Sequence, residues 1–316
     1  MLAQNGQLRE AEPHLTELLL GPGEDGAEIC EAFVEGFFDA YRISDALGLL
    51  DVWEADFPRD PQPHFMRGLF HAHNSNPKEA VTSVRRALEL GPSRTDIQRH
   101  FAELLMTVEE FEEAEQWYRR LLKSDADNST LLAGLGRCLL ERGRLDDARS
   151  TLMRALQLAP DAHVARLQLG KLELKVGRAN EAIVHLRPVI EARPFDPEPR
   201  LVIASALRDI GQSDEAKEHL QFVERSLKAT DRMRALMDQT KGRPTDVEMR
   251  FEIAMILMSN GAPNDGAKWL LSVLNLDPHH RPSQAALAEY YRSIGKDRLA
   301  DEHQRRASTA DTEHQP

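Results

Sequence analysis

The stretch STLLAGLGRCLLERGRLDDARSTLMRALQLAPDA, residues 129–162, decides the fold of this chain. Each half carries a stripe of apolar and small residues at helical spacing. The two stripes are Leu132, Leu135, Gly136 and Leu139, then Leu145, Ala148, Leu152 and Ala155. Gly143 lies between them and fits a left-handed helix end, and Pro160 cannot continue the second helix. The stretch therefore predicts two short helices joined by a tight turn.

The same pattern recurs along the chain with a period of 34 residues. Alanine stands at 46, 80, 114, 148, 182 and 216, and proline at 58, 92, 160 and 194, with Ala126 in the missing place. If alanine fills roughly a tenth of all positions, six consecutive matches arise by chance on the order of once in a million. Small residues at these places let helix backbones approach closely.

These residues resemble the tetratricopeptide repeat, a 34-residue helix–turn–helix module. The signature reads Leu135-Gly136, Leu139, Gly143, Ala148, Leu152, Ala155 and Pro160 in this sequence, and the resemblance covers nearly the whole chain. It implies an all-α fold, a right-handed superhelical solenoid of stacked helix pairs.

The repeats predict five segments. They are a partial N-terminal repeat at 1–26 with a second helix only, six contiguous repeats at 27–230, a helix extension and linker at 231–246, two C-terminal repeats at 247–308, and a disordered tail at 309–316. Two departures stand out. Pro188 falls inside a second helix, where a kink is expected, and Gly266 replaces the repeat alanine.

The amino-acid composition argues against some classes of function. The 316 residues include 40 Lys plus Arg and 52 Asp plus Glu, a net charge of -12, which argues against binding to nucleic acid. Residues 1–60 hold 14 acidic and 3 basic residues, so an acidic partner surface is expected there. No signal peptide or membrane span is visible, and the two distant cysteines, Cys30 and Cys138, predict buried, inert thiols in a reducing, cytoplasmic compartment.

The family resemblance assigns the concave surface to positions 2, 5, 9, 12 and 13 of each repeat, with position 6 in some members. The first repeat places Glu28, Glu31, Glu35 and Asp39 there. The other candidate groove residues are Arg99, His100, Glu103, Arg137, Gln168, Lys171, Lys175, Phe251, Met255 and Met258. Methionine is an adaptable binding group, although such an apolar stripe is more often core.

The residue set of the chaperone-peptide clamp known in this family does not occur in three consecutive repeats. A looser arrangement remains, in which Arg137, Lys171 and Lys175 hold acidic side chains of a peptide. The alternative is that these three are ordinary solvated side chains.

Catalytic and cofactor motifs are not visible in the sequence. The pairs His71/His73 and His279/His280 have poor geometry for a shared metal, and no phosphate-binding loop occurs. We therefore predict no metal, no cofactor and no enzymatic activity.

Three functions follow as hypotheses. The first is a non-enzymatic scaffold that holds an extended peptide or a partner helix in its concave groove. The second is the regulatory or substrate-recognition part of a larger enzyme or assembly system, with a truncated N-terminus. The third is a homodimer formed through an N-terminal leucine stripe, Leu15, Leu18, Leu19 and Leu20.

Overall fold

The computed structural model describes residues 12–15, 26–39, 42–240 and 242–308. These residues form one 3₁₀ turn, Glu12–His14, and sixteen α-helices, which confirms the all-α repeat fold. The chain divides into two compact units, Met1–Lys175 and Val176–Pro316. The division falls between the two helices of the predicted repeat 163–196.

The first unit is a stack of helical hairpins. Its helices are α1 (Gly26–Asp39), α2 (Ile43–Asp56), α3 (Gln62–His73), α4 (Pro77–Leu90), α5 (Thr95–Thr107), α6 (Phe111–Ser124), α7 (Ser129–Glu141), α8 (Leu145–Leu158) and α9 (His163–Lys175). Consecutive helices pair from α1/α2 to α7/α8, and α9 packs against α7 and α8.

The second unit follows the same plan. Its helices are α10 (Ala179–Ala192), α11 (Pro197–Asp209), α12 (Ser213–Thr240), α13 (Val247–Ser259), α14 (Pro263–Leu276), α15 (Arg281–Ser293) and α16 (Asp297–Ser308). The pairs α11/α12, α13/α14 and α15/α16 form hairpins, and α10 packs against α11.

The periodic alanines lie in the core of these hairpins. Ala46, Ala80, Ala114, Ala148, Ala182 and Ala216 are each at most 1% exposed. Small side chains at these positions let helix backbones approach closely. The leucine stripes of 129–162 are also buried, apart from the half-buried Leu145, so the period read from the sequence is the packing period of the structure.

The hairpin turns share a left-handed residue. Gly143 has φ +73°, and the next backbone N–H, that of Arg144, donates to the carbonyl oxygen of Leu139 at 2.8 Å. Glycine adopts this conformation without steric cost. Ser75 and Glu109 occupy the equivalent positions of two earlier repeats, and they also have positive φ, 59° and 64°.

Two departures from the repeat are accommodated locally. Helix α10 runs through Pro188 without a break, and α12 continues through the predicted extension to Thr240. At Gly266, an added Cβ would lie 2.7 Å from Cγ of Met258, so the methionine fills the space that the repeat alanine occupies elsewhere.

At the N-terminal end, Leu15 is half-buried against the core of the α1/α2 hairpin. Glu12 and Arg42 fix this segment with a two-pronged ion pair. Leu15 is therefore covered by its own chain. The rest of the predicted leucine stripe, most of the partial repeat 1–26 and the tail 309–316 lie outside the described residues.

Two further features concern membrane crossing and thiol chemistry. Among the described helices, none combines the length and the apolar character that crossing a bilayer requires. Both cysteines are buried in the core, and burial raises the pKa of the Cys30 thiol to about 11 and that of Cys138 to about 12. Cys138 packs against Met106 with a sulfur–sulfur distance of 3.0 Å.

Candidate functional site

A shallow cavity of about 360 Å³ lies on the first helices of three successive repeats in the first unit. Six side chains line it: Phe65 from α3, Asp96, Arg99, His100 and Glu103 from α5, and Thr130 from α7. All six occupy repeat positions 2, 5, 6 or 9. We call the space that these six side chains line the groove cavity.

The repeat itself brings these residues together. In the first unit, repetition places the first helices of repeats 61–94, 95–128 and 129–162 side by side, so side chains at equivalent repeat positions line one cavity. The start of α7 is fixed by Asn128, whose side-chain oxygen accepts hydrogen bonds from the N–H groups of Thr130 and Leu131, both at 3.1 Å. This cap sets where Thr130 meets the cavity.

One carboxylate of the groove cavity is neutralised within the protein. The guanidinium of Arg94 donates to Asp96 from Nε at 3.0 Å and from Nη2 at 2.6 Å, and this pairing lowers the pKa of Asp96. Arg94 also donates to Gln62, which donates in turn to Glu31 at 2.6 Å. These bonds tie the first three repeats together along the groove.

The other two charges of the groove cavity remain available. Arg99 is exposed, and it has no ion-pair partner among the described residues. Glu103 is 51% exposed, and the basic group nearest to it is the imidazole of His100, 3.9 Å away. Arg99 and Glu103 lie one helical turn apart on α5 and do not pair with each other.

His100 forms the inner wall. Its ring stands edge-on to the ring of Phe65, with 5.6 Å between centroids. Its Nε2 atom is buried without a hydrogen-bond partner. Burial lowers the pKa of His100, so the imidazole is neutral at pH 7 and leaves the charge of Glu103 uncompensated.

Gly134 provides space next to this wall. A Cβ at Gly134 would lie 2.4 Å from the ring of Tyr118, so the glycine allows the tyrosine to lie flat under α7. Tyr118 is buried, and its burial together with the charge of Glu103 raises the pKa of the phenol.

The remaining basic candidates lie farther along the first unit and do not line the cavity. Arg137 on α7 is half-buried, and its Nε has no hydrogen-bond partner. On α9, Lys171 is half-buried and Lys175 is exposed. Gln168 is only 3% exposed, and its Oε1 is buried, so the expectation of an open groove residue is wrong for this side chain.

In the first repeat, Glu28 and Glu35 are exposed, while Glu31 accepts the hydrogen bond from Gln62. The side chain of Asp39 lies outside the described part of the structure. The acidic surface predicted for this region is thus present on α1 at Glu28 and Glu35.

The apolar candidates belong to the second unit. Phe251 packs against the buried His280 with 5.0 Å between ring centroids, and Met255 is 37% exposed. Met258 is half-buried and fills the space beside Gly266, so part of its side chain serves helix packing, and its place in the groove stays a prediction.

Sequence reasoning selected Arg99, His100 and Glu103, and the structure brings these three together. It missed Phe65, Asp96 and Thr130. The sequence contained the information needed to select these three residues, because they occupy positions 2 and 5 of their repeats, which the family resemblance assigns to the concave surface. Within the ranges that the structure describes, no group of His, Cys, Asp and Glu has a geometry for holding a metal ion.

Comparison with known proteins gives one family match and one curated relative. Residues 118–169 match the family model for the tetratricopeptide repeat. The type IV pilus assembly protein PilF of Pseudomonas aeruginosa is 33% identical over 86 residues, which is 27% of this chain. The match spans about a third, 34%, of that relative's length.

Solved structures show similar folds. The crystal structure of PilW, a widely conserved type IV pilus biogenesis factor, aligns with a TM-score of 0.54 at 15% identity, covering 62% of this chain and 91% of PilW. Human IFIT1, solved as a dimer with m7Gppp-AAAA, aligns with a TM-score of 0.52 at 17% identity, covering 97% of this chain and 79% of IFIT1. At these identities the likeness is one of fold.

Proposed function

Since the chain is a tetratricopeptide-repeat protein, we propose that it is a non-enzymatic interaction scaffold and that its first unit binds an extended peptide or a partner helix in the concave groove. The observation that carries this proposal is the groove cavity. Side chains from three successive repeats converge on it, and two of them, Arg99 and Glu103, have charges that no group of the described chain neutralises.

The chemistry of the cavity suits a peptide. Phe65 offers apolar surface, Arg99 offers donors, and Glu103 offers acceptors, all on rigid helices and not on loops. Helices hold their side chains in place, which lowers the entropy lost when a flexible partner binds. In this proposal the groove continues toward Arg137 and Lys175, and these two side chains pair with acidic side chains of the same partner.

A substitution that fills the cavity tests this proposal. Thr130 is exposed at the cavity wall, and the cap of α7 uses only its backbone, so Thr130→Trp obstructs the cavity without removing a helix contact. Thr82→Trp, on the exposed face of α4 away from the cavity, is the matched control. An array of short synthetic peptides is screened against each protein.

We expect the wild-type protein and Thr82→Trp to bind the same peptides, and Thr130→Trp to lose them. Equal binding by all three proteins would place the ligand elsewhere, and an array without any binder would argue against a peptide-binding groove.

The second hypothesis is supported by one comparison. The similarity to a type IV pilus assembly protein favours a role as the recognition part of a larger assembly system. If the source cell makes such pili, deletion of this gene should reduce surface pili, and expression of the Thr130→Trp variant should fail to restore them. Normal piliation in the deletion strain would exclude this role.

Binding to nucleic acid is opposed by charge. A net charge of -12 repels a phosphate backbone, and the fold likeness to IFIT1 gives no residue-level reason to expect RNA. Filter binding with capped and uncapped RNA at low salt is the direct check, and saturable binding would overturn this part of the proposal.

A further inference from the structure

The groove cavity holds two opposite charges that the protein does not pair. Arg99 precedes Glu103 by four residues on α5, an order that favours an ion pair less than the reverse order does. Asp96, the remaining carboxylate, is occupied by Arg94. His100, the group closest to Glu103, is held neutral by its burial. Both charges are therefore directed at a shared space without internal compensation.

Their spacing matches that of an extended chain. Side chains four residues apart on a helix have Cβ atoms about 5–6 Å apart. In an extended peptide, alternate side chains point to the same side and lie roughly 7 Å apart. A peptide that runs along α5 thus presents residues n and n+2 to Arg99 and Glu103 together.

The neighbouring helices define the two sides of this path. Phe65 on α3 forms an apolar wall beside His100, and Thr130 on α7 forms a small polar wall opposite. Between these walls the peptide is partly shielded from water, and shielding strengthens ion pairs relative to those on an open surface.

We propose that the groove cavity recognises an extended segment with two side chains of opposite charge two residues apart, the carboxylate against Arg99 and the ammonium or guanidinium against Glu103. This inference rests on the proposed function, because it names the partner class of the same groove. It differs from recognition of a purely acidic peptide, for which Glu103 would be repulsive.

The test uses peptide pools with two fixed positions and random residues elsewhere. The fixed pairs are Asp-Xaa-Lys, Lys-Xaa-Asp, Asp-Xaa-Asp and Lys-Xaa-Lys. Each pool is screened against the full chain, R99E, E103K and the double variant R99E/E103R. Lys78→Glu on the exposed first turn of α4 is the control, because it changes charge by the same amount outside the cavity.

We expect the wild-type chain and Lys78→Glu to enrich one opposite-charge pool by about three- to tenfold over both like-charge pools. R99E should prefer Lys-Xaa-Lys, and E103K should prefer Asp-Xaa-Asp. The double variant should again prefer an opposite-charge pool, in the reversed order of charges.

The outcomes separate the two proposals. If peptides bind the wild-type chain and Thr130→Trp abolishes binding, but the charge preferences do not follow the variants, the paired-charge inference is wrong and the groove proposal stands. If no pool binds, both are wrong. Circular dichroism on every variant establishes that the helices are intact, so that a lost preference reports recognition.

Discussion

Arg166 donates two hydrogen bonds to the carbonyl oxygen of Pro160, from Nε at 3.1 Å and from Nη2 at 2.8 Å. Proline at this place ends one repeat, and position 4 of the next repeat reaches back six residues to its carbonyl. The same contact recurs as Arg200 to Pro194, Arg250 to Pro244, Gln98 to Pro92 and Gln284 to Pro278. The contact fixes the loop between consecutive repeats.

Replacing Arg166 with leucine should lower the free energy of unfolding by about 1 kcal/mol, because the proline carbonyl loses both donors. Arg166→Gln should recover most of this loss, since glutamine makes the equivalent bond at Gln98 and Gln284. Urea denaturation of the three proteins measures the difference. Equal stability of the leucine and glutamine variants would show that the hydrogen bond contributes nothing.

The loop between repeats 95–128 and 129–162 lacks this hydrogen bond from position 4 to a proline carbonyl. Ala126 replaces the proline, Leu132 stands at position 4, and the carbonyl of Ala126 accepts from Arg154 at 3.1 Å instead. Ala126 and Leu132 both line a cavity of about 370 Å³. The backbone of Asp125 is nevertheless already in the conformation that precedes proline elsewhere, with φ -141° and ψ 74°, against -128° and 69° at Arg193.

Ala126→Pro should therefore stabilise the protein by about 0.4–1 kcal/mol, because it restricts the unfolded chain and leaves the carbonyl acceptor in place. Ala126→Gly is the matched control, and it should destabilise by a similar amount. A decrease in the urea midpoint for the proline variant would mean that the loop cannot accept the ring.

Glu109 carries backbone strain that the glycines at the same position of the later repeats avoid. It has φ 64°, whereas the equivalent residue in the next repeat is Gly143 with φ 73°. A left-handed conformation costs an L-residue roughly 1–2 kcal/mol, so Glu109→Gly should raise the free energy of unfolding by about 1 kcal/mol.

Gly143→Ala is the reverse control. No atom lies within 4 Å of the place where its Cβ would stand, so any loss of stability reports backbone strain and not crowding. Thermal and urea unfolding of both variants should move in opposite directions. A shift of the same sign in both would contradict the assignment of strain.

A buried histidine in the terminal helix α16 makes the stability of the protein depend on pH. His303 is buried, with Nδ1 2.6 Å from Oε1 of Gln284, and burial lowers its pKa from 6.5. The unfolded chain therefore takes up a proton near pH 6.5 while the folded chain resists it. The contribution of His303 to the free energy of unfolding is therefore fully present above about pH 6.5. It is lost as the pH decreases toward the lower pKa that His303 has in the folded state.

We expect His303→Gln to weaken the dependence of the free energy of unfolding on pH, by an amount that corresponds to at most one bound proton. The measurement is the free energy of unfolding of both proteins between pH 7.5 and about pH 5. Lowering the pH in the presence of a high salt concentration should give the same difference between the two proteins, because it arises from burial of the imidazole. An identical slope in the wild-type protein and His303→Gln would assign the acid sensitivity to other groups.

Much of the fold was predictable because its signal is periodic and local. A helix buries residues at fixed spacing, and each repeat buries the same positions, so the alanines at 80, 114 and 148 and the turn at Gly143 follow from the sequence alone. The left-handed Ser75 was predictable from register, although its residue type gives no such signal.

The site was predictable only in part. Repeat position selected Arg99, His100 and Glu103, which line the groove cavity, yet the same rule placed Gln168 on an open surface where the structure buries it. Repeat position fixes the face of the helix on which a side chain lies, but packing against other helices decides whether a polar group on that face reaches the surface.

The sequence alone determined the repeat, its length and the helices it forms, because apolar spacing within a few turns specifies which faces must be buried. Only the tertiary structure decided that Phe65, Asp96 and Thr130 meet at one cavity, that Arg94 neutralises Asp96, and that Met258 fills the space beside Gly266. These outcomes depend on pairs of side chains from different helices, and such pairs leave no periodic trace along the chain.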